Sequence, residues 1–205
     1  MKDLQRETAK LLLASSQGIA KVIPAASFEF WERKEFRELV NFTKLSRTEQ
    51  DRMFNELEVS LLGLFDLHLT YIASIAQNEY RKVISILQKE LVASFIALFS
   101  ELGVEKKHIN IWNVLIDMRF KEYWKHYKAA LKEARGWKEF KGDDYMRVTW
   151  ARIETITIDC LRHIRRGKVE KDDPLWKLLR KWFTMLDAIT IGQFEKLVGE
   201  NPEET

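Results

Sequence analysis

Cysteine is almost absent: Cys160 is the only one in 205 residues. A single thiol excludes an internal disulfide and a cysteine metal cage. Turn formers are scarce as well. With 8 Gly and 3 Pro, the chain lacks the many tight turns that sandwiches and barrels require. No uncharged stretch approaches the ~18 apolar residues that span a bilayer; the longest candidates, 67–78 and 91–100, are interrupted or too short. The apolar run 11–14 follows Asp3 and Glu7, and acids are foreign to the basic leader of a signal peptide. The expectation is a cytoplasmic chain without a membrane segment. A Gly-rich phosphate loop, a nucleophile elbow, a His-Glu-x-x-His motif and a cysteine pair are all missing. Conventional acid–base or nucleophilic catalysis is therefore the least supported reading.

What is present is the composition of a folded protein, 46% hydrophobic and 32% charged. The length suits one sizeable core rather than two domains. The net charge of +3 conceals an asymmetry: residues 119–181 hold 18 Lys plus Arg against 10 Asp plus Glu, which is +8, and the remainder is −5. Such a region can meet nucleic acid or anionic lipid, but its cations are interleaved with acids, as on the solvated faces of long helices. Nucleic-acid binding therefore ranks third among the functional readings.

Periodicity predicts seven helical segments and no strand. The first runs over 2–23 and is closed by Pro24. Ser27 caps a short second helix reaching Phe42, with Phe28, Trp31, Phe36, Leu39 and Val40 facing inward. Ser46-Arg47-Thr48-Glu49 reads as a capping box, the serine hydroxyl receiving the Glu49 amide while the glutamate reaches back. It opens a helix whose 57–76 portion is hydrophobic nearly all round and so becomes the central buried element. Asn78 marks a bend, and the next helix extends to Gly103. A fifth covers 107–135 and ends at Gly136. Gly142-Asp143-Asp144 opens a sixth, closed by Gly167. Asp173-Pro174, a cap followed by a first-turn proline, starts the last, which stops at Gly199. The expected fold is all-α, a single globular domain of about seven helices, either globin-like or an irregular helical bundle. Residues 1–26 form a helix or arm, 27–199 the domain and 200–205 a polar tail.

Histidine placement carries the candidate chemistry. Leu61, Leu64, Phe65, His68, Ile72 and Ile75 share one stripe of the most hydrophobic helix. An imidazole there must be hydrogen-bonded, ligated or facing a cavity, since an orphaned buried polar group costs about 1–3 kcal/mol. Glu122 with His126, and Asp159 with His163, stand four residues apart, so each acid shares a helical face with its histidine. His68, His126 and His163 fall on three helices, and their convergence would suit zinc or iron; spacing alone does not establish it. His108, beside Lys106 and Lys107, reads as solvated. Five of the seven tryptophans, Trp112, Trp124, Trp150, Trp176 and Trp182, occupy core-compatible positions or line a pocket for a flat ligand. The stretch 161–168 is basic at a helix end, complementing the dipole or binding an anion.

Three segments resemble the protoglobin and globin-coupled sensor family. Phe36-Arg37-Glu38-Leu39-Val40-Asn41-Phe42-Thr43 is similar to that domain's short introductory helix, Asn78-Glu79-Tyr80 to the start of its distal-side helix, and RKWFTMLDAITIGQF to its last helix. The resemblance covers about four-fifths of the chain. It implies a globin fold and a haem whose proximal ligand is His126, with His68 and Tyr71 near the distal side. Glu122 would orient the imidazole, Ile72, Phe95, Phe99, Trp124 and Ile153 would wall the pocket, and Arg119, Lys125 or Arg152 would meet the propionates. The leading expectation is a non-catalytic sensor or ligand-binding domain with an internal apolar pocket, haem being its most specific occupant. The alternative is a helical interaction module that forms a homodimer or docks a partner without a cofactor.

Overall fold

In the computed structural model, residues 2–139, 142–167, 169–170 and 172–199 are described, with side chains from 14 to 190 apart from Glu79 and those between the described segments. The expected polar tail, the side chains of the first helix before residue 14, and the end of the last resemblance segment lie outside them. Among the described residues the chain is all-α, with seven helices and no strand. They are α1 (Lys2–Glu32), α2 (Lys34–Leu39), α3 (Arg47–Ile75), α4 (Asn78–Glu101), α5 (Lys106–Gly136), α6 (Asp144–Ile164) and α7 (Pro174–Gly199), with a 3-10 turn over Phe42–Lys44.

The all-round hydrophobicity of α3 makes it the axis of the fold. Its side chains are buried without a break from Glu56 to Phe65 and again at Leu67–Leu69, and it packs against α1, α4, α5, α6 and α7. Around it α1 pairs with α4, α5 with α6, and α6 with α7. Gly63 sets how closely α5 approaches: a Cβ there would stand 2.5 Å from the Tyr123 ring. The same tyrosine's hydroxyl shares a 3.1 Å hydrogen bond with Ser60 Oγ.

Several joints follow the local code. Ser46 Oγ accepts from the Glu49 amide at 3.3 Å, and Asp143 accepts from the Met146 amide at 2.8 Å. Asp173 caps Leu175 at 2.9 Å directly before Pro174. Gly103 and Gly167 take positive φ angles of 76° and 84° where α4 and α6 end, a conformation that costs glycine little.

Other joints correct the expectation. Pro24 does not close the first helix: α1 runs through it to Glu32, and Ser27 is a buried interior residue rather than a cap. The second helix shrinks to six residues, and continuation of α1 turns Phe28 outward, 54% exposed, against the predicted inward face. Only half of the capping box forms, because the Glu49 carboxylate accepts from Arg52 and Arg166 instead of reaching back to Ser46.

Among the described residues, two helical stretches are long and apolar enough to cross a membrane by length and composition alone: α3 and Tyr80–Glu101 of α4. They differ in placement. In α3, 61% of the apolar window is buried inside the fold, against 22% in α4, so α3 is a core helix while α4 leaves much of its apolar surface uncovered.

Candidate functional sites

That uncovered surface borders a groove of about 730 Å³ between α1, α3, α4 and α7. Its walls carry helical stripes: Ser15, Gly18, Ile19 and Val22 of α1 face Tyr80, Val83, Ile84 and Leu87 of α4. Phe65 and Ile72 come from α3, Leu186 and Ile189 from α7. None of the sixteen lining residues is Asp, Glu, Lys, Arg, His or Cys. Gly18 has open space where a side chain would be.

His68, on the same stripe as Phe65 and Ile72, is 3% exposed and places Nδ1 3.4 Å from Asp187 Oδ1. Arg152 grips that carboxylate from the other side, Nε to Oδ1 at 2.9 Å and Nη2 to Oδ2 at 2.8 Å. All three are buried. Burial works to raise the Asp187 pKa, but the hydrogen bonds from His68 and Arg152 and their charges outweigh it and hold the carboxyl below its ordinary range. This is a core network with its acceptors satisfied.

The third arrangement joins α5 and α6. The acid–histidine pairs predicted within each helix are instead re-partnered between helices. His126 Nδ1 stands 2.8 and 2.9 Å from the two oxygens of Asp159, and His163 Nε2 stands 2.8 Å from Glu122 Oε2. An antiparallel pair dictates this exchange, since four steps along α5 correspond to four steps back along α6. Asp159 is 1% exposed and His126 32%. Burial pushes the Asp159 carboxyl above its usual range, partly countered by His126. One ligand atom from each of Glu122, His126 and Asp159 lies within 4.8 Å of the others. His163 touches this group, whereas His68 belongs to the Asp187 network.

The remaining predicted site residues disperse. Tyr71 lies against Tyr145, with ring centroids 5.7 Å apart. Phe95 packs with Phe99 and Trp112. Trp124 donates its indole N–H to Asp66 Oδ2 at 3.0 Å, and Gln88 donates to Oδ1 of the same carboxylate. None of His126, His68, Tyr71, Phe95 and Trp124 lines the groove. Of the residues expected at propionates, Arg119 is held by Glu56 through bonds of 2.9 and 2.6 Å, and Arg152 is wholly buried. A haem ligated by His126 needs that ring beside a hollow, and the groove and the imidazole are separate features. This groove therefore offers no place for a haem on His126.

Sequence reasoning missed the buried acids Glu56, Glu58 and Asp187 and the half-buried Asp66. Burial alone pushes the Glu58 carboxyl up to about 8. For those on α3, acidic letters set inside an apolar helix were the available signal. In the basic region, Arg119, Arg135, Arg152, Arg162, Arg165, Arg166 and Arg180 each lie within 4 Å of a carboxylate, including Arg165 on Asp173, Arg135 on Asp144 and Arg166 on Glu49. That leaves little unengaged guanidinium for phosphates. No family model, curated protein or solved structure matches the chain.

Proposed function

We propose that the chain is a non-catalytic helical binding module whose groove takes an elongated, uncharged apolar molecule. One observation carries the reading: about 730 Å³ is bordered by four helices and the α3/α4 joint, without a charge among the described lining side chains. The volume falls in the range of small-molecule sites, which are mostly apolar with a few polar groups. Here those groups are Ser15, Gln77, Tyr80 and Thr190, and the Thr190 hydroxyl is already committed to the Leu186 carbonyl. Among the described lining residues there is no acid, imidazole, lysine or thiol to activate the Ser15, Tyr80 or Thr190 hydroxyl, which favours binding over acid–base or nucleophilic chemistry. Affinity then comes from apolar area removed from water, at about 25 cal/mol per Å² before the costs of association.

A second reading, the docking of an amphipathic helix from a partner or a second copy, is favoured by the wall geometry. Both α1 and α4 present residues at i, i+3, i+4 and i+7, the spacing of a helix seam with one member missing. Val22, Ile75, Tyr80 and Ile189, between 48% and 66% exposed, also continue the apolar surface.

Titration with a pyrene-bearing long-chain alcohol, followed by displacement with an unlabelled alcohol, tests the first reading. Saturable binding of one molecule per chain is expected, abolished when Gly18→Phe fills the groove. If the alcohol fails to bind while light scattering finds a dimer that Gly18→Phe dissociates, the second reading replaces the first. A monomer that ignores the alcohol removes the first reading and the second-copy form of the second.

A further inference from the structure

We infer that the α5/α6 seam binds a divalent transition-metal ion of the zinc class, with Glu122, His126 and Asp159 as ligands and His163 orienting Glu122. The inference is independent of the groove and of whatever occupies it.

The donor set is the first argument. An imidazole nitrogen and two carboxylate oxygens, all within 4.8 Å of one another, are ligands that zinc, iron(II) and cobalt(II) accept. A tetrahedral ion with bonds of about 2.0–2.2 Å holds its ligand atoms roughly 3.4 Å apart, so modest rotamer adjustment closes the three on an ion and leaves a fourth position for water.

Charge is the second. Arg119 also lies near the seam, with Nη1 3.8 Å from Glu122, but its charge is matched by the bidentate pairing with Glu56. The two carboxylates are then opposed by Arg162, 3.3 Å from Asp159 and 41% exposed. Its guanidinium can turn to solvent as an ion enters.

The third is orientation and access. Metal-bound carboxylates are themselves held by hydrogen bonds, and His163 Nε2–H supplies one to Glu122 at 2.8 Å. Asp159 lies at the buried base while the His126 ring reaches the surface, giving an ion a path inward. A pair of ordinary ion pairs explains the short contacts equally well, but it predicts indifference to metal.

The test is calorimetric titration of the chelator-treated full chain with Zn²⁺ at neutral pH, with Co²⁺ as a visible-absorbance reporter of the ligand set. One equivalent of Zn²⁺ is expected to bind and to raise the melting temperature. Glu122→Gln keeps an acceptor for His163, and His126→Gln keeps a donor for Asp159, so both should fold. Each should weaken binding by about 100-fold or more and abolish the thermal shift. His163→Ala should weaken it by about 10-fold and alter the cobalt spectrum. His108→Ala, on the exposed start of α5, should bind as the parent does. Absence of saturable Zn²⁺ binding, or binding undiminished in both Gln variants, overturns the inference. Loss in His108→Ala with retention in His126→Gln assigns the ion to an adventitious surface site and overturns it as well.

Discussion

Around the groove, sixteen lining residues from four helices and the α3/α4 joint contribute no charge. Along the α5/α6 seam, Glu122, His126, Asp159 and His163 are joined in two acid–imidazole pairs at about 2.8 Å, flanked by Arg119 and Arg162. Both regions border α3, whose long buried surface, mostly apolar with a few polar side chains, packs against either kind of neighbour. The difference lies in what each leaves unfinished. The groove leaves apolar area uncovered, so an occupant's affinity should change little with salt. The seam leaves partly buried charge, so its properties should respond to salt, pH and cations.

Breaking the charged side at its deepest point should have the largest effect. Arg152→Ala strands the Asp187 carboxylate in the core, and removing one partner of a buried pair costs about 3–5 kcal/mol. Urea unfolding measures it. The double replacement Arg152→Met with Asp187→Leu should recover most of the loss, and a loss of less than about 1 kcal/mol for the single variant would show that the pair is not desolvated.

Glu58 offers the opposite sign. Its folded-state pKa of about 8 exceeds the ordinary 4.5, so between those values the folded chain holds a proton that the unfolded chain releases. Stability should therefore fall as pH rises from 4.5 to about 8 and level off above. Glu58→Gln should stabilise the protein at pH 8 by up to about 4 kcal/mol, with little change at pH 4. Equal melting temperatures for variant and parent at pH 8 would remove the buried-acid account.

Smaller still is the steric test of α3 against α5. Gly63→Ala drives a methyl into the Tyr123 ring and should cost about 1–3 kcal/mol; adding Tyr123→Leu should relieve part of it. Least of all, Gly18→Phe should change stability by less than about 0.5 kcal/mol, because open space surrounds that position. It should nonetheless eliminate apolar-ligand binding, which sets the groove apart from the core most sharply.

Helix count, the central role of α3 and most helix ends were legible because local chemistry writes them: Ser46, Asp143, Asp173 and Gly167 act on neighbours within a few residues. Pro24 misled because a proline only weakens a helix, and packing against α4 overrides the penalty. Histidine burial at position 68 was readable from its stripe; its partners Asp187 and Arg152, more than eighty residues away, were not. At the seam the sequence displays two acid–histidine steps on consecutive helices, but choosing partners within or between helices requires the antiparallel register. The groove was the least legible feature, because a face left uncovered spells the same apolar stripe as a face that is packed.

Pro24 has one more effect. Having no N–H, it leaves the Ala20 carbonyl without its usual amide partner and presses its ring on the preceding turn. The α1 residues that wall the groove, 15–22, all precede it. That wall is thus carried on a weakened joint of an otherwise continuous rod, and a guest wider than the slot would meet least resistance by bending the rod at this point, while α3 at the groove's floor stays pinned by the interior.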